Sequence, residues 1–315
     1  MNKPKGRFIT GADALDGWRD DLLSGKPPRL YPIAESGPLA AVEIGPKLIT
    51  LIGGGPGDGK TAWVMQSVFE ALRITSTLRV VVANVEMPPE VLLERQLSRL
   101  AGVPLDVIRH RRIDDEHAGR VDVGLGMLGD LVDRLAFVRP PFDLQNIAAT
   151  VDSFAPVDDG ETVLVVDYLQ RIAVPGQTSD RRGSIDTLMG RLRDFADAGV
   201  AVVAVSAVGR QRDSKGRSGY AVEAMGLGAF RESSELEFGA DSAFIVGRHP
   251  DEPNRRTLLH LKARHGELSN IELTFDGSLQ RFDVADYERR DPTGLSAMLS
   301  GLWDDTDTAG GDLDD

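Results

Sequence analysis

Gly54-Gly55-Pro56-Gly57-Asp58-Gly59-Lys60-Thr61 fits the pattern G-x-x-x-x-G-K-T at every position. The apolar run Leu48-Ile49-Thr50-Leu51-Ile52 leads into it, and a helical pattern from Ala62 to Leu72 follows. Strand, loop and helix in that order are what a phosphate-binding loop requires. Glycines let backbone N–H groups turn toward phosphate oxygens, and the helix N-terminus adds a favourable partial charge. All eight residues are therefore expected to cradle a nucleoside triphosphate with its Mg²⁺. Lys60 reaches the β- and γ-phosphates and the Thr61 hydroxyl sits on the metal. A Gly-rich turn that fits by accident is the competing reading, and the flanking strand and helix argue against it.

Outward from this loop, the core alternates apolar strand runs with helical stretches. Strands are expected at Leu48–Gly53, Arg79–Val85, Leu135–Val138, Thr162–Asp167 and Ala201–Ser206. Val80-Val81-Val82, Val163-Leu164-Val165-Val166 and Val202-Val203-Ala204-Val205 are continuous, which suits parallel strands covered on both faces. Helices are expected between them at Pro89–Ala101, Asp122–Arg134, Leu144–Phe154 and Ile185–Ala198. Later runs at Ser242–Gly247, Thr257–Ala263, Asn270–Phe275 and Leu279–Phe282 are spaced like antiparallel strands, with Asp276-Gly277 supplying hairpin chemistry. The fold class is α/β, a P-loop core whose mostly parallel central sheet is extended by antiparallel strands. Residues 1–46 read as an extension outside the core, with a short helix at Asp13–Leu23 and breaks at Lys26-Pro27-Pro28 and Tyr31-Pro32. The core is expected over 47–290 and an acidic, disordered tail over 291–315.

Composition narrows the class. The 315 residues are 41% apolar, with no cysteine, so disulfide and thiolate chemistry are excluded. No segment approaches the roughly 18 uninterrupted apolar residues of a membrane span, and Met1 to Thr10 lacks a signal-peptide core. These features point to a cytoplasmic protein without a membrane partner. The net charge of −13 argues at first against nucleic acid, but six aspartates lie in Asp304–Asp315 alone. A ring acidic outside and basic along its channel gives the same balance.

Asp167 closes strand Thr162–Asp167, where an acid in a P-loop enzyme holds the Mg²⁺ hydration shell. Glu86 follows strand Arg79–Val85, where a carboxylate polarises the attacking water or, equally on position alone, caps the next helix. Between Val208 and Tyr220, Arg210, Arg212, Lys215 and Arg217 stand against only Asp213. Such a stretch suits phosphate tracking, although a solvated surface loop fits it slightly better. Arg181 and Arg182 are weaker candidates. Aromatic residues are only 6% of the chain, so base stacking would be secondary to backbone contact.

Val85-Glu86-Met87 resembles the S-L-E-M element of the DnaB family of replicative helicases, and Val165-Val166-Asp167-Tyr168-Leu169-Gln170 matches its V-V-D-Y-L-Q. Phe230-Arg231-Glu232-Ser233-Ser234-Glu235-Leu236-Glu237 resembles L-R-E-S-G-x-I-E, and Ala240-Asp241 matches the A-D that follows. Leu261-Lys262-Ala263-Arg264-His265-Gly266 resembles A-K-x-R-N-G. The elements fall in family order over about residues 47–283. The resemblance implies a RecA-like core, with Glu86 as catalytic carboxylate and Asp167 as the Mg²⁺-associated acid. It also implies that Lys262 and Arg264 reach the γ-phosphate of a neighbouring subunit. It further places Arg231, Glu232 and Ser234 on a channel loop contacting single-stranded DNA.

The chain departs from the family pattern at residues that bear on the chemistry. Ser206-Ala207-Val208 stands where S-Q-L is usual, so Ala207 replaces a γ-phosphate-sensing glutamine; Ser234 replaces a glycine and His265 an asparagine. Fewer than fifty residues precede the P-loop strand, too few for the family's helical N-terminal domain, which points to a mobile-element relative or a specialised factor. The resemblance implies that helix Asp13–Leu23 acts like the family's linker helix, packing on the adjacent subunit. The expected function is an ATP-dependent DNA helicase or translocase, a homo-hexameric ring on single-stranded DNA with a loader or other replication partner. The alternative is a nucleotide-switched assembly ATPase related to RadA or KaiC, without strand separation.

Overall fold

The structure, a computed structural model, describes residues 9–155, 161–174, 181–212, 218–220, 222–230 and 234–285. In chain order the first half contains α1 (Gly11–Leu23), β1 (Ile49–Gly54), α2 (Lys60–Ile74), β2 (Leu78–Asn84), α3 (Pro89–Ala101), α4 (Leu105–Arg109), α5 (Asp115–Val132), β3 (Leu135–Phe137) and α6 (Leu144–Phe154). Then come β4 (Glu161–Asp167), α7 (Arg181–Asp197), β5 (Ala201–Ala207), the short β6 (Gln211–Arg212) and β7 (Ser218–Gly219), and α8 (Ser234–Gly239). β8 (Ser242–Arg248), β9 (Arg255–Ala263), β10 (Ile271–Asp276) and β11 (Arg281–Val284) complete it.

Nine strands form one sheet in the order β11-β10-β9-β8-β1-β5-β4-β2-β3. From β8 to β3 all neighbours run parallel, and β9, β10 and β11 add on antiparallel. The α/β expectation is met, and the reason for the continuous apolar runs is visible. Val80 and Val82 enter one core cluster with α2, α3 and α5, whereas Val81 and Ala83 enter another with α6 and α7. Burying each large apolar side chain stabilises the fold by roughly 1.5–3 kcal/mol.

The differences from expectation have local causes. Helix α5 begins at Asp115, well before the expected Asp122, because Asp114 caps it by accepting from the His117 N–H. Its Gly124 lies against Leu97 and Ala101 of α3, where a Cβ would come within 3.0 Å of both, so two helices approach closely. The final hairpin turns through a longer loop than Asp276-Gly277 implied, since Asp276 pairs with Arg281. Asp276 Oδ1 accepts from the Ser278 and Leu279 N–H groups, and the left-handed residue is Gln280 (φ 53°).

Residues 31–44, expected outside the core, belong to it: Tyr31, Ile33, Val42 and Ile44 are buried with α2 residues in one cluster. The Tyr31 N–H donates to the Ile44 carbonyl at 2.6 Å. Burial and the nearby Glu161 push the Tyr31 phenol up to about 12, against the opposing charge of Arg29. Prolines interrupt regular structure here, but a segment without regular structure can still bury its apolar side chains. Helix α1 does not: Leu15, Trp18 and Leu22 share one face and each is more than half exposed. The expected tail, 291–315, lies outside the described residues.

One largely buried ion pair joins α2, which follows the P-loop, to α3. Arg99 of α3, 7% exposed, meets Glu70 of α2 at 2.7 Å. Burial acts to raise the Glu70 pKa, and the guanidinium groups of Arg99 and Arg73 outweigh it, leaving the carboxyl below its usual range. Its stabilising share is therefore full above the unfolded carboxyl pKa and is lost as pH falls through the lowered folded value. Glu70→Gln, which strands Arg99, is expected to cost about 3 kcal/mol at neutral pH. Urea unfolding should show that loss, and it should shrink in acid as the wild-type pair is protonated.

Candidate functional site

The site forms where the parallel strands end. β1 runs directly into the P-loop, and α2 opens at Lys60. Gly59 has φ 98°, a left-handed conformation, and a Cβ there would meet Phe282 Cζ at 2.7 Å, so both backbone and space demand glycine. The loop is knotted by Asp58, 1% exposed, whose Oδ2 accepts from the Gly55 N–H at 2.8 Å and whose Oδ1 meets Arg248 at 2.9 Å. Burial raises the Asp58 pKa, with Arg248 and the Gly55 N–H opposing it. Lys60 Nζ donates back to the Gly55 carbonyl at 2.9 Å. Burial lowers the Lys60 pKa, while Asp58, Asp167 and Glu86 pull the other way.

Strand register brings the two acidic positions together. Asn84, the last residue of β2, pairs with Asp167, the last of β4. Asp167 Oδ2 accepts from the Thr61 hydroxyl at 2.6 Å and from Asn84 Nδ2 at 2.9 Å. The Asn84 amide oxygen accepts from the N–H groups of Glu86 and Met87 at 3.0 and 2.8 Å. One side chain thus fixes both the Asp167 carboxylate and the turn that carries Glu86. Asp167 is 3% exposed, and burial raises its pKa against the Thr61 hydrogen bond and the charge of Lys60.

Lys60, Thr61, Glu86 and Asp167 line one cleft of ≈ 730 Å³, together with Pro56, Gly57 and Gly59 of the loop. Ala207 lines it too, beside Gly54 in the β1–β5 register, and presents only a methyl group. Gln170 secures that strand end: its Nε2 donates to Ser206 Oγ at 2.8 Å, and its Oε1 accepts from the Ala207 N–H at 3.2 Å. Sequence reasoning missed Arg95, which enters the cleft from α3. Its Nε is buried without a hydrogen-bond partner among the described residues, and burial lowers its pKa. The signal was present in the spacing, because Leu92, Arg95, Gln96 and Arg99 form an i, i+3, i+4, i+7 stripe. Asn84 and the Arg248–Asp58 pair were also missed, since each depends on a partner remote in sequence.

Lys262 and Arg264 do not line that cleft. Lys262 Nζ donates to the Glu237 carbonyl at 2.6 Å, and Arg264 Nη1 meets Asp241 Oδ1 at 2.6 Å. The other Asp241 oxygen accepts from the Ile49 N–H and from Arg193, tying the pair to the start of β1. Arg264 remains 48% exposed. Of the expected DNA contacts, Arg231 and Glu232 lie outside the described residues, as do Lys215 and Arg217. Ser234 opens α8, Arg212 ends β6, and the Arg210 guanidinium lies 5.9 Å from the Tyr220 ring centroid.

Asn84→Ala would leave two backbone N–H groups and a buried carboxylate oxygen short of a partner. A loss of about 2 kcal/mol is expected, measurable as a lower urea midpoint, with the mutant's nucleotide affinity reporting whether the P-loop itself survives.

The DnaB-like helicase C terminal domain model matches residues 44–284. The replicative DNA helicase DnaB of Buchnera aphidicola subsp. Baizongia pistaciae is 25% identical over 249 residues, 76% of this chain and 52% of that protein. The Haemophilus influenzae protein of the same name is 25% identical over 250 residues, 76% of this chain and 51% of that one. The chain thus spans about half the length of the curated relatives it matches. Among solved structures, one described as an ATPase domain superposes with a TM-score of 0.75 at 18% identity, covering 89% of this chain and all of that one. A DnaB-like replicative helicase, described with its interactions with primase, gives 0.74 at 18% identity over 87% of this chain and 68% of that one. These superpositions identify the fold as RecA-like. With the family model matching residues 44–284, a span that holds the whole nine-stranded sheet, the chain belongs to the DnaB-like helicase C-terminal domain family.

Proposed function

We propose that the chain hydrolyses ATP and uses the hydrolysis to move along single-stranded DNA as a homo-oligomeric ring, a hexamer, in the cytoplasm. The observation that carries this reading is the division of the polar machinery. Lys60, Thr61, Glu86 and Asp167 share one cleft, whereas Lys262 and Arg264 lie outside it. A cleft so equipped binds and orients a triphosphate. Cations on a different face complete it when a second copy presents them, as a trans arginine finger does.

The residues divide the work by position. Lys60 exchanges the Gly55 carbonyl for a phosphate oxygen, and the loop N–H groups hold the remaining charge. Glu86 holds the attacking water, its backbone fixed by Asn84. Thr61 and Asp167, a hydroxyl and a buried carboxylate 2.6 Å apart, fit a small hard cation that keeps several waters. Mg²⁺ bound there would neutralise charge on the β- and γ-phosphates. Arg95 adds a further cation to the same cleft. The exposed Leu15–Trp18–Leu22 face of α1 fits a linker helix that packs on the adjacent subunit. Arg210, Arg212, Arg231, Glu232 and Ser234 supply the DNA contacts, and a loader or other replication partner completes the assembly. The alternative of a switch ATPase without strand separation draws no support from the family membership.

Steady-state ATP hydrolysis with and without single-stranded DNA, beside the particle mass with ATP bound, tests the reading. Severalfold stimulation and a hexameric mass are expected; turnover by an obligate monomer would sink it. Lys60→Ala should abolish turnover. Arg264→Ala should lower it by about a thousandfold or more, the scale of a lost arginine finger, while nucleotide affinity stays close to wild type. Mixing Arg264→Ala with Lys60→Ala chains should restore part of the activity, because each supplies what the other lacks.

A further inference from the structure

The P-loop packs against a second segment of chain, and the packing is made through glycines. A Cβ at Gly53 would meet Phe230 Cε1 at 2.6 Å and Val208 Cγ1 at 2.8 Å. At Gly55 it would meet Tyr220 Cγ at 2.7 Å and Cβ at 2.9 Å, and at Gly247 it would meet Val222 Cγ2 at 2.6 Å. Gly53 is in β1, and Gly247 follows Val246, the β8 residue paired with Gly54. Three bare Cα positions at the end of two adjacent strands therefore act as seats. A Cβ at Gly55 would also meet Asp58 Oδ2 at 2.6 Å; the other seated side chains, Val208, Tyr220, Val222 and Phe230, come from one stretch, closed by the Gly209 N–H donating to the Ala229 carbonyl at 2.8 Å. This is the segment that carries Arg210 and Arg212 and leads into Arg231.

Gly55 is also a residue whose bonding must change when a triphosphate enters. Its N–H donates to the Asp58 carboxylate, and its carbonyl accepts from Lys60 Nζ at 2.9 Å and from the Asp58 N–H at 3.3 Å. An ammonium drawn to a phosphate leaves that carbonyl. Tyr220 rests on the same residue, and the Arg210 guanidinium lies over its ring. Side chains that occupy the space of a missing Cβ rest directly on the backbone, so a shift of the loop is passed to what rests on it. Ala207, at the β5 end of the cleft, has no side-chain donor with which to do this.

We propose that Tyr220 is a positioning residue that ties the Arg210 guanidinium to the P-loop, so that nucleotide occupancy sets where Arg210 stands. The Gly53, Gly55 and Gly247 seats hold the segment to that task. The inference rests on the chain being a DNA-dependent ATPase, and its test separates the two. ATP hydrolysis with and without single-stranded DNA, and DNA affinity with and without a non-hydrolysable ATP analogue, are measured for wild type, Tyr220→Phe, Tyr220→Ala and Gly247→Ala.

Tyr220→Phe should match wild type, because the contacting atoms are Cβ and Cγ and not the hydroxyl. Tyr220→Ala and Gly247→Ala should keep nucleotide affinity yet lose about tenfold of the coupling between nucleotide and DNA. Full DNA stimulation in both of those variants overturns the proposal. So does a Tyr220→Phe variant as uncoupled as Tyr220→Ala, or a loss of nucleotide binding in both Tyr220→Ala and Gly247→Ala, which would make the seats merely structural. A wild-type chain that ignores DNA overturns the underlying reading instead.

Discussion

The parallel register of β2 against β4 is the constraint on which the site depends. It sets Asn84 beside Asp167, so that a buried carboxylate is held by one hydroxyl from the P-loop helix and one amide from the next strand. A charge this deeply buried is costly unless its oxygens are bonded. The two bonds offset part of that cost and, in doing so, fix the distance between P-loop, β4 and the Glu86 turn. A slip by one residue would turn Asp167 to the opposite face and empty the cleft of its acid.

A similar arrangement recurs at the other end of β1. Asp241 accepts from the Ile49 N–H and from two arginines, so the strand's first amide and the Arg264 guanidinium share a carboxylate. β1 is thereby anchored at its start by Asp241 and terminated by the Asp58 knot, whose carboxylate binds Gly55 and Arg248. Glycines between these anchors leave room for side chains of a distant segment to rest on the loop. The cleft and the stretch carrying Arg210 are in this way neighbours across backbone.

Much of this was legible in the chain. The strand–loop–helix order, the β-branched runs and the motif order pointed to the RecA-like sheet, because a parallel strand buried on both faces needs continuous apolar residues and a P-loop needs its glycines and lysine in sequence. Lys60, Thr61, Glu86 and Asp167 were legible for the same reason: each stands at a strand end or helix start, positions that local pattern marks. The burial of residues 31–44 was not, since prolines report backbone geometry and say nothing of where Tyr31 and Ile44 find cover. Arg95 was overlooked although its helical stripe was readable.

The sequence by itself determined the phosphate loop, the sheet class and the family motifs, all of which are local patterns of residue type and spacing. Only the tertiary structure decided that Asn84 orients both acidic positions, that Arg248 neutralises Asp58, and that Tyr220 rests on Gly55. It also decided that Lys262 and Arg264 stay out of the cleft of their own chain. Each of these is a contact between residues brought together by strand register and packing distance, and neither quantity is written in local composition.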